Sequence, residues 1–167
     1  MRLPRLRVGI GFDVHPFATA LPAGYLHLGG VDFPEAPSLE GHSDADVLCH
    51  AVIDAMLGAA GLGDIGEHFS DTDGRWEGAS GLVLLSESAA LLSEAGWKVV
   101  DVDTSVVVDA PRLAPHRGEM QKRMSEAAGG EVRVKAKRSE GLGSLGRGEG
   151  IAAWAVALIC AADETTS

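Results

Sequence analysis

The sequence predicts an α/β protein of the α+β sandwich type: a single domain with one mixed four-stranded sheet covered on one side by helices. Three observations carry this. The 167 residues are 46% hydrophobic, enough for one real core and too short a chain for two generous ones. The patterns run strands first, then helices, then strand-helix-strand-helix. No internal repeat or linker interrupts them, so residues 1–162 are expected to form the domain and 163–167 a C-terminal tail.

Leu6 to Ile10 alternates as a strand does, and Gly11 to His15 continues it or bends out of it before Pro16. Asp13 and His15, two apart, share one face in extended chain. Tyr25 to Gly30 and Val31 to Phe33 read as short strands around a Gly-Gly turn, followed by a loop from Pro34 to Gly41. Ser43 is a good helix cap, with Asp46 three residues on as in a capping box. Val47, Leu48, Ala51, Val52, Ala55, Met56 and Ala59 then give an apolar helical face that Gly61 and Gly63 end. Asp46, His50 and Asp54, four apart, form a second stripe.

Gly63 to Asp73 is a polar loop longer than a connector needs. A second helix spans about Gly78 to Ala95, with Leu82, Leu85, Ala89 and Leu92 inward and Gly96 as its stop. Trp97 to Val108 is the clearest strand, with Val100, Val102, Thr104, Val106 and Val108 on one face. The other face, Val99, Asp101, Asp103, Ser105 and Val107, is mixed, as a surface against another subunit is; sheets facing inward in an oligomer are expected. Ala110 to His116 is a loop held by two prolines, Pro115 opens a helix to about Ala128, and Glu131 to Lys137 is a strand with Val132, Val134 and Ala136 on one face. After the glycine-rich stretch Ser139 to Gly150, the run Ile151 to Ala162 is apolar nearly all round and reads as a buried helix.

The formal charge of −10 argues against nucleic acid as the main partner, because counterion release needs a basic face. A small phosphorylated ligand held by a few cations or a metal stays possible. The two cysteines, Cys49 and Cys160, have no paired spacing and suit a reducing, cytoplasmic setting. No apolar run approaches the roughly 18 residues of a membrane span, and the arginines before Val8 precede no leader-like segment.

Asp13, His15 and His50 offer one carboxylate and two imidazoles, the donor set of a tetrahedral zinc with an open fourth position. Spacing alone is a weak signal and favours a strand-end polar pair and a surface histidine. Asp46 reads as a cap or as an orienting partner of His50. Asp64, His68, Asp71 and Asp73 lack regular calcium-loop spacing. No P-loop, dinucleotide fingerprint or serine-nucleophile elbow is present, so neither an ATP site nor covalent catalysis is expected.

Five separated motifs in order, Gly-Phe-Asp13-Val-His15, His42-Ser43-Asp44-Ala-Asp46-Val with His50, Gly-Asp64-Ile-Gly66 with Phe69 and Asp71-Thr-Asp, Ala110-Pro111 with Pro115-His116, and Gly146-Arg147-Gly-Glu149-Gly-Ile-Ala, cover nearly the whole chain. In these it resembles the 2-C-methyl-D-erythritol 2,4-cyclodiphosphate synthase family of the non-mevalonate isoprenoid pathway. The resemblance implies a homotrimer with active sites between adjacent subunits. It implies zinc on Asp13, His15 and His50, and a second divalent ion, magnesium or manganese, on Glu140 and the substrate phosphates. The substrate would be 4-diphosphocytidyl-2-C-methyl-D-erythritol 2-phosphate, whose 2-phosphate attacks the β-phosphorus and releases CMP. His42, Ser43, Asp64, Gly66, Phe69 and Asp71 would surround the methylerythritol phosphate; Ala110, Pro111, Arg112, Leu113, Ala114 and Ala136 would hold cytosine and ribose.

Two departures concern phosphate groups. Lys137, Arg138 and Ser139 stand where the family usually has three threonines, so cations replace hydroxyls at the diphosphate, and His42, Lys137 and Arg138 are the candidates for transition-state positioning. Ser144 replaces a frequent phenylalanine which, with an arginine matching Arg147, lines a cavity on the trimer axis that takes isoprenoid phosphates. Arg147 is kept and the ring is not. A zinc-dependent phosphohydrolase and a phosphate-binding trimer without turnover are the other readings.

Overall fold

The computed structural model describes residues 5–19 and 24–162; the tail expected at 163–167 and the first four residues lie outside them. The elements are β1 (Leu6–Pro16), β2 (Tyr25–Leu28), β3 (Val31–Pro37), α1 (Val47–Ala60), α2 (Ile65–His68), α3 (Gly81–Glu94), β4 (Trp97–Val107), α4 (Arg117–Ala128), β5 (Glu131–Lys137), α5 (Gly143–Gly146) and β6 (Gly150–Ala161). A mixed sheet runs in the order β1-β6-β4-β5, antiparallel except for β4 with β5, and β2 with β3 forms a separate hairpin. Helices cover one face, with α1 on β1 and β6, as expected.

The fourth strand is not where the patterns placed it. Ile151 to Ala162 is strand β6 rather than a buried helix, the second strand from the β1 edge. Its alanines at 153, 155 and 157 lie buried under α1, while Trp154 and Val156 stand exposed on the opposite face. Small residues inside and large apolar ones outside erase the polar alternation that usually marks a strand, and alanine favours helix by propensity.

Three boundaries also differ. The chain enters α1 through Ala45 at φ 55, so Ser43 cannot cap it; Asp46 is the cap, and its carboxylate accepts from the amides of Leu48 and Cys49. A bulge between Val99 and Asp101 turns Val100 outward and Val99 inward, and the expected face resumes at Val102. Pro115 precedes α4, whose cap position is His116. On β5, Val132 and Val134 are buried but Ala136 is exposed.

β1 and α1 meet backbone to backbone. A Cβ on Gly9 would lie 2.1 Å from the Ala55 carbonyl oxygen, and one on Gly11 1.9 Å from that of Ala51. The same face of β1 continues to Asp13 and His15, and α1 presents His50 beside them. The opposite face, Leu6, Val8, Ile10, Phe12 and Val14, is 48 to 72% exposed.

Gly11→Ala is expected to cost about 3 kcal/mol or more, because backbone rather than a flexible side chain must move. Gly58→Ala, with nothing within 4 Å of the added carbon on the same helix, should gain about 0.5–1 kcal/mol. Urea unfolding midpoints of the two variants check the pair.

Candidate active site

The metal-ligand geometry is built from two elements and oriented by a third. Asp13 Oδ2 lies 3.0 Å from His15 Nε2 and 3.0 Å from His50 Nδ1. The other nitrogen of each ring is engaged: His15 Nδ1 donates to the Glu40 carbonyl at 2.6 Å, and His50 Nε2 faces Ser43 Oγ at 3.1 Å. A carbonyl only accepts, so His15 carries a proton on Nδ1; in the metal-free protein the protonated ring also donates from Nε2 to Asp13, and loss of that second proton frees Nε2 to ligate a metal. Ser43, expected to cap the helix, thus orients a ring instead.

Burial raises the Asp13 carboxyl, but hydrogen bonds and charges of His15 and His50 outweigh it and hold it well below the usual carboxylate range. The hydrogen bond to Asp13 is the main reason His15 is raised above 6.5. One oxygen and two nitrogens lie within 4.8 Å of one another, and Asp13, His15 and His50 can hold a metal ion. The two 3.0 Å separations from Asp13 are near the roughly 3.3 Å edge of a tetrahedron with bonds of about 2.0 Å, and one carboxylate with two imidazoles is a donor set that suits zinc.

Asp46 keeps α1 in place. It is fully buried and accepts from four amides: Gly29 at 2.9 Å, Gly30 at 2.7 Å, Leu48 at 3.2 Å and Cys49 at 3.1 Å. Gly29 and Gly30, both at positive φ, form the hairpin turn between β2 and β3. Asp44 accepts from Gly81, the first residue of α3, at 2.8 Å; burial and the neighbouring Asp46 push its carboxyl up. Asp46 therefore caps α1 directly, and its carboxylate bonds to Gly29, Gly30, Leu48 and Cys49, whereas the His50 ring is held by Asp13 and Ser43. Asp54, one turn beyond His50, accepts the Ile65 amide at 2.9 Å and ties the start of α2 to α1.

Around the ligands is a cavity of about 440 Å³ lined by His42, Ser43, Gly66, Phe69 and Asp71, as expected, and also by Gly41, Ile65, Ser70, Trp76 and Leu84. Asp64 is not in the lining; it caps α2 through the Glu67 amide at 3.0 Å. His68 is bound to the Leu62 carbonyl and Asp73 to Arg75, so the polar loop gathers no second metal cluster among the described residues. Trp76 lies between the polar loop and α3, where a lone aromatic carries no spacing signal; Gly41 and Ser70 are equally silent.

A second cleft of about 160 Å³ is lined by Val108, Asp109, Pro111, Arg112, Leu113, Ala114, Ala136, Lys137 and Arg138. Ala110 instead faces an adjoining cavity with Phe17 and Leu145. Ser139 donates its hydroxyl to Asp109, Glu140 is exposed at φ 54, and Arg147 pairs with Glu149. None of these three lines the cavity or the cleft. The two hollows share no residue within one chain.

The sequence pattern of the YgbB family matches residues 6–160. The chain belongs to the YgbB family. It is 54% identical over 157 residues to a 2-C-methyl-D-erythritol 2,4-cyclodiphosphate synthase of Pelotomaculum thermopropionicum, covering 92% of this chain and 95% of that one. With the protein of that name from Bordetella petrii it shares 51% over 165 residues, covering 97% and 99%. A solved structure of such a synthase in a CDP-bound form superposes with a TM-score of 0.81 at 35% identity, covering 92% of this chain and 99% of the other. The family expected from the five motifs is the family found.

His50→Ala is expected to lose stoichiometric zinc without unfolding, read by metal analysis beside circular dichroism; full zinc content would remove His50 as a ligand. Zinc should also leave as pH falls. A ligating imidazole must be neutral, and in metal-free protein His15 holds its proton more tightly than a free histidine, so protons compete with zinc for that ring. In metal-free protein that proton stabilises the fold below pH 6.5, and its contribution is lost as pH rises through the raised value.

Proposed function

We propose that the protein is a phosphorus-oxygen lyase that converts 4-diphosphocytidyl-2-C-methyl-D-erythritol 2-phosphate to 2-C-methyl-D-erythritol 2,4-cyclodiphosphate and CMP, a step in isoprenoid precursor synthesis. One observation carries it: Asp13, His15 and His50 converge on the wall of a 440 Å³ cavity in a chain whose relatives of about the same length bear that synthase's name.

The 2-phosphate oxygen forms a bond to the β-phosphorus, and the bond from that phosphorus to the CMP oxygen breaks with its electron pair. Both reacting groups belong to one molecule, so the protein's task is to fold it until they meet in line, and no protein nucleophile is needed. His42, Ser43, Gly66, Phe69 and Asp71 enclose the polyol phosphate, and Asp64 supports Gly66 by capping its helix. Pro111, Arg112, Leu113, Ala114 and Ala136 hold cytosine and ribose, with Ala110 and Ser139 behind them. Zinc, or another divalent transition metal, on Asp13, His15 and His50, and magnesium or manganese on Glu140 with the substrate phosphates, supply Lewis-acid charge neutralisation. Lys137 and Arg138 add fixed cations at the diphosphate, and His42 completes the positioning of the transferring group.

The cavity and the cleft are separate in one chain, which supports a homotrimer in which the cavity of one subunit meets the cleft of the next. The exposed apolar face of β1 and β6 is the surface for that association. Arg147, beside Glu149, would meet an isoprenoid phosphate on the trimer axis. No helix among the described residues is long and apolar enough to cross a membrane, and the function goes with a cytoplasmic location.

Incubation of the zinc-loaded protein with the cytidylyl substrate and magnesium should release CMP and the cyclic diphosphate in equal amounts, followed by phosphorus NMR. A linear phosphate product would favour the phosphohydrolase, and CMP binding without turnover the binding module. Ile10→Lys, at the most exposed apolar position of β1, should shift the sedimenting species from trimer to monomer and abolish turnover while His15 and His50 still bind zinc.

A further inference from the structure

A residue in the wall of the metal cavity carries a donor that the reaction as described does not use. Trp76 lines the cavity, yet its Nε1 is buried and has no hydrogen-bond partner. Only one other buried side-chain atom among the described residues is in that position, Asp101 Oδ1, and its carboxylate is already paired with Arg133 through the other oxygen. An orphaned indole N–H keeps its desolvation penalty with no bond in return, whereas a phenyl ring would supply similar apolar contact without that cost.

The setting of the ring is specific. Phe69, another cavity residue, meets it edge to face with centroids 5.0 Å apart, and the Arg75 guanidinium lies 5.5 Å from its centroid. Trp76 ends a single tight turn, Gly74–Trp76, capped by Asp73. That segment is joined to the His42 loop of the cavity wall: Gly78 donates to the His42 carbonyl and Asp44 to the Ala79 carbonyl, each at 3.0 Å. The indole thus sits between the apolar side of the cavity, Ile65, Phe69 and Leu84, and the loop that carries His42 and Ser43.

We propose that Trp76 is a specificity-determining residue whose indole N–H turns toward the cavity and donates to an oxygen of the polyol phosphate half of the substrate. This rests on the cyclisation reading of the site. The nucleotide half does not satisfy the donor, since its cleft shares no residue with the cavity. Binding an oxygen there ends the cost of the orphan, and a ligand lacking that oxygen leaves the cost in place, so the contact discriminates by chemistry as well as shape.

The decisive variant replaces Trp76 by its benzothiophene isostere, which exchanges Nε1–H for sulfur and keeps the bicyclic shape. With zinc content and trimer unchanged, its KM for the cytidylyl substrate should rise about threefold to tenfold at nearly constant kcat, the signature of a contact made equally in ground and transition states. Its affinity for CMP should not change. In the unmodified holoenzyme, the indole ¹H–¹⁵N resonance that Trp76→Phe removes should move downfield with the cyclic diphosphate and stay in place with CMP. An unshifted resonance with the cyclic diphosphate, or an isostere with unchanged KM, overturns the proposal while turnover by the unmodified protein leaves the cyclisation reading standing. Absence of turnover in the unmodified protein counts against that reading, and the NMR arm still decides whether Trp76 takes a polyol phosphate oxygen.

Discussion

The contact of Gly9 and Gly11 with the backbone of α1 sets the distance on which the metal site depends. A strand and a helix carrying ordinary side chains stack about 10 Å apart, and side chains as short as aspartate and histidine would meet poorly across that gap. Here the carbonyls of Ala51 and Ala55 press directly on the strand. The residue before Ala51 is His50, and two residues beyond Gly11 comes Asp13. The glycines therefore serve the chemistry without touching it. Alanines on the inner face of β6 extend the same close approach across the next strand.

A contact so close also needs the helix fixed along its axis and at its start, which is the work of the buried Asp46 and the half-buried Asp44. Asp46 binds amides from the β2–β3 turn and from the first turn of α1, and Asp44 binds the first amide of α3. Three elements thus share one polar node at the end of the apolar core. Cys49 is part of it: its thiol donates to Asp46, and burial first, then the Asp46 charge, pushes its own ionisation up, so it stays a neutral donor. Charges this deep are costly alone, and the number of amides converging on Asp46 is what makes the burial tolerable.

Much of this was legible in the residues. Period-two alternation located β1, β4 and β5, and helical spacing located α1 and α3. Asp13 and His15 could be paired because a strand puts alternate residues on one face. Their union with His50 was not in any period, since it depends on which helix lies over which strand; the order of motifs supplied it. The grip of Asp46 on Gly29 and Gly30 leaves no pattern either, because backbone amides look alike in every sequence. β6 was hidden by its own environment: a strand with apolar residues on both faces loses the alternation that identifies it. Trp76 lay outside every pattern because its character is an unmet hydrogen bond, visible only once its neighbours are known.

The two faces of β1 have a joint consequence. Residues 9, 11, 13 and 15 answer to the helix and the metal, while 6, 8, 10, 12 and 14 form an apolar ribbon along a strand at the sheet edge. An uncovered edge with such a ribbon is a template for uncontrolled pairing with other chains. Protein synthesised too dilute to associate would thus carry a finished metal site on an aggregation-prone surface. Quality control in a cell would then be exercised on assembly rather than on folding, and a substitution anywhere along this strand would find no position free to drift.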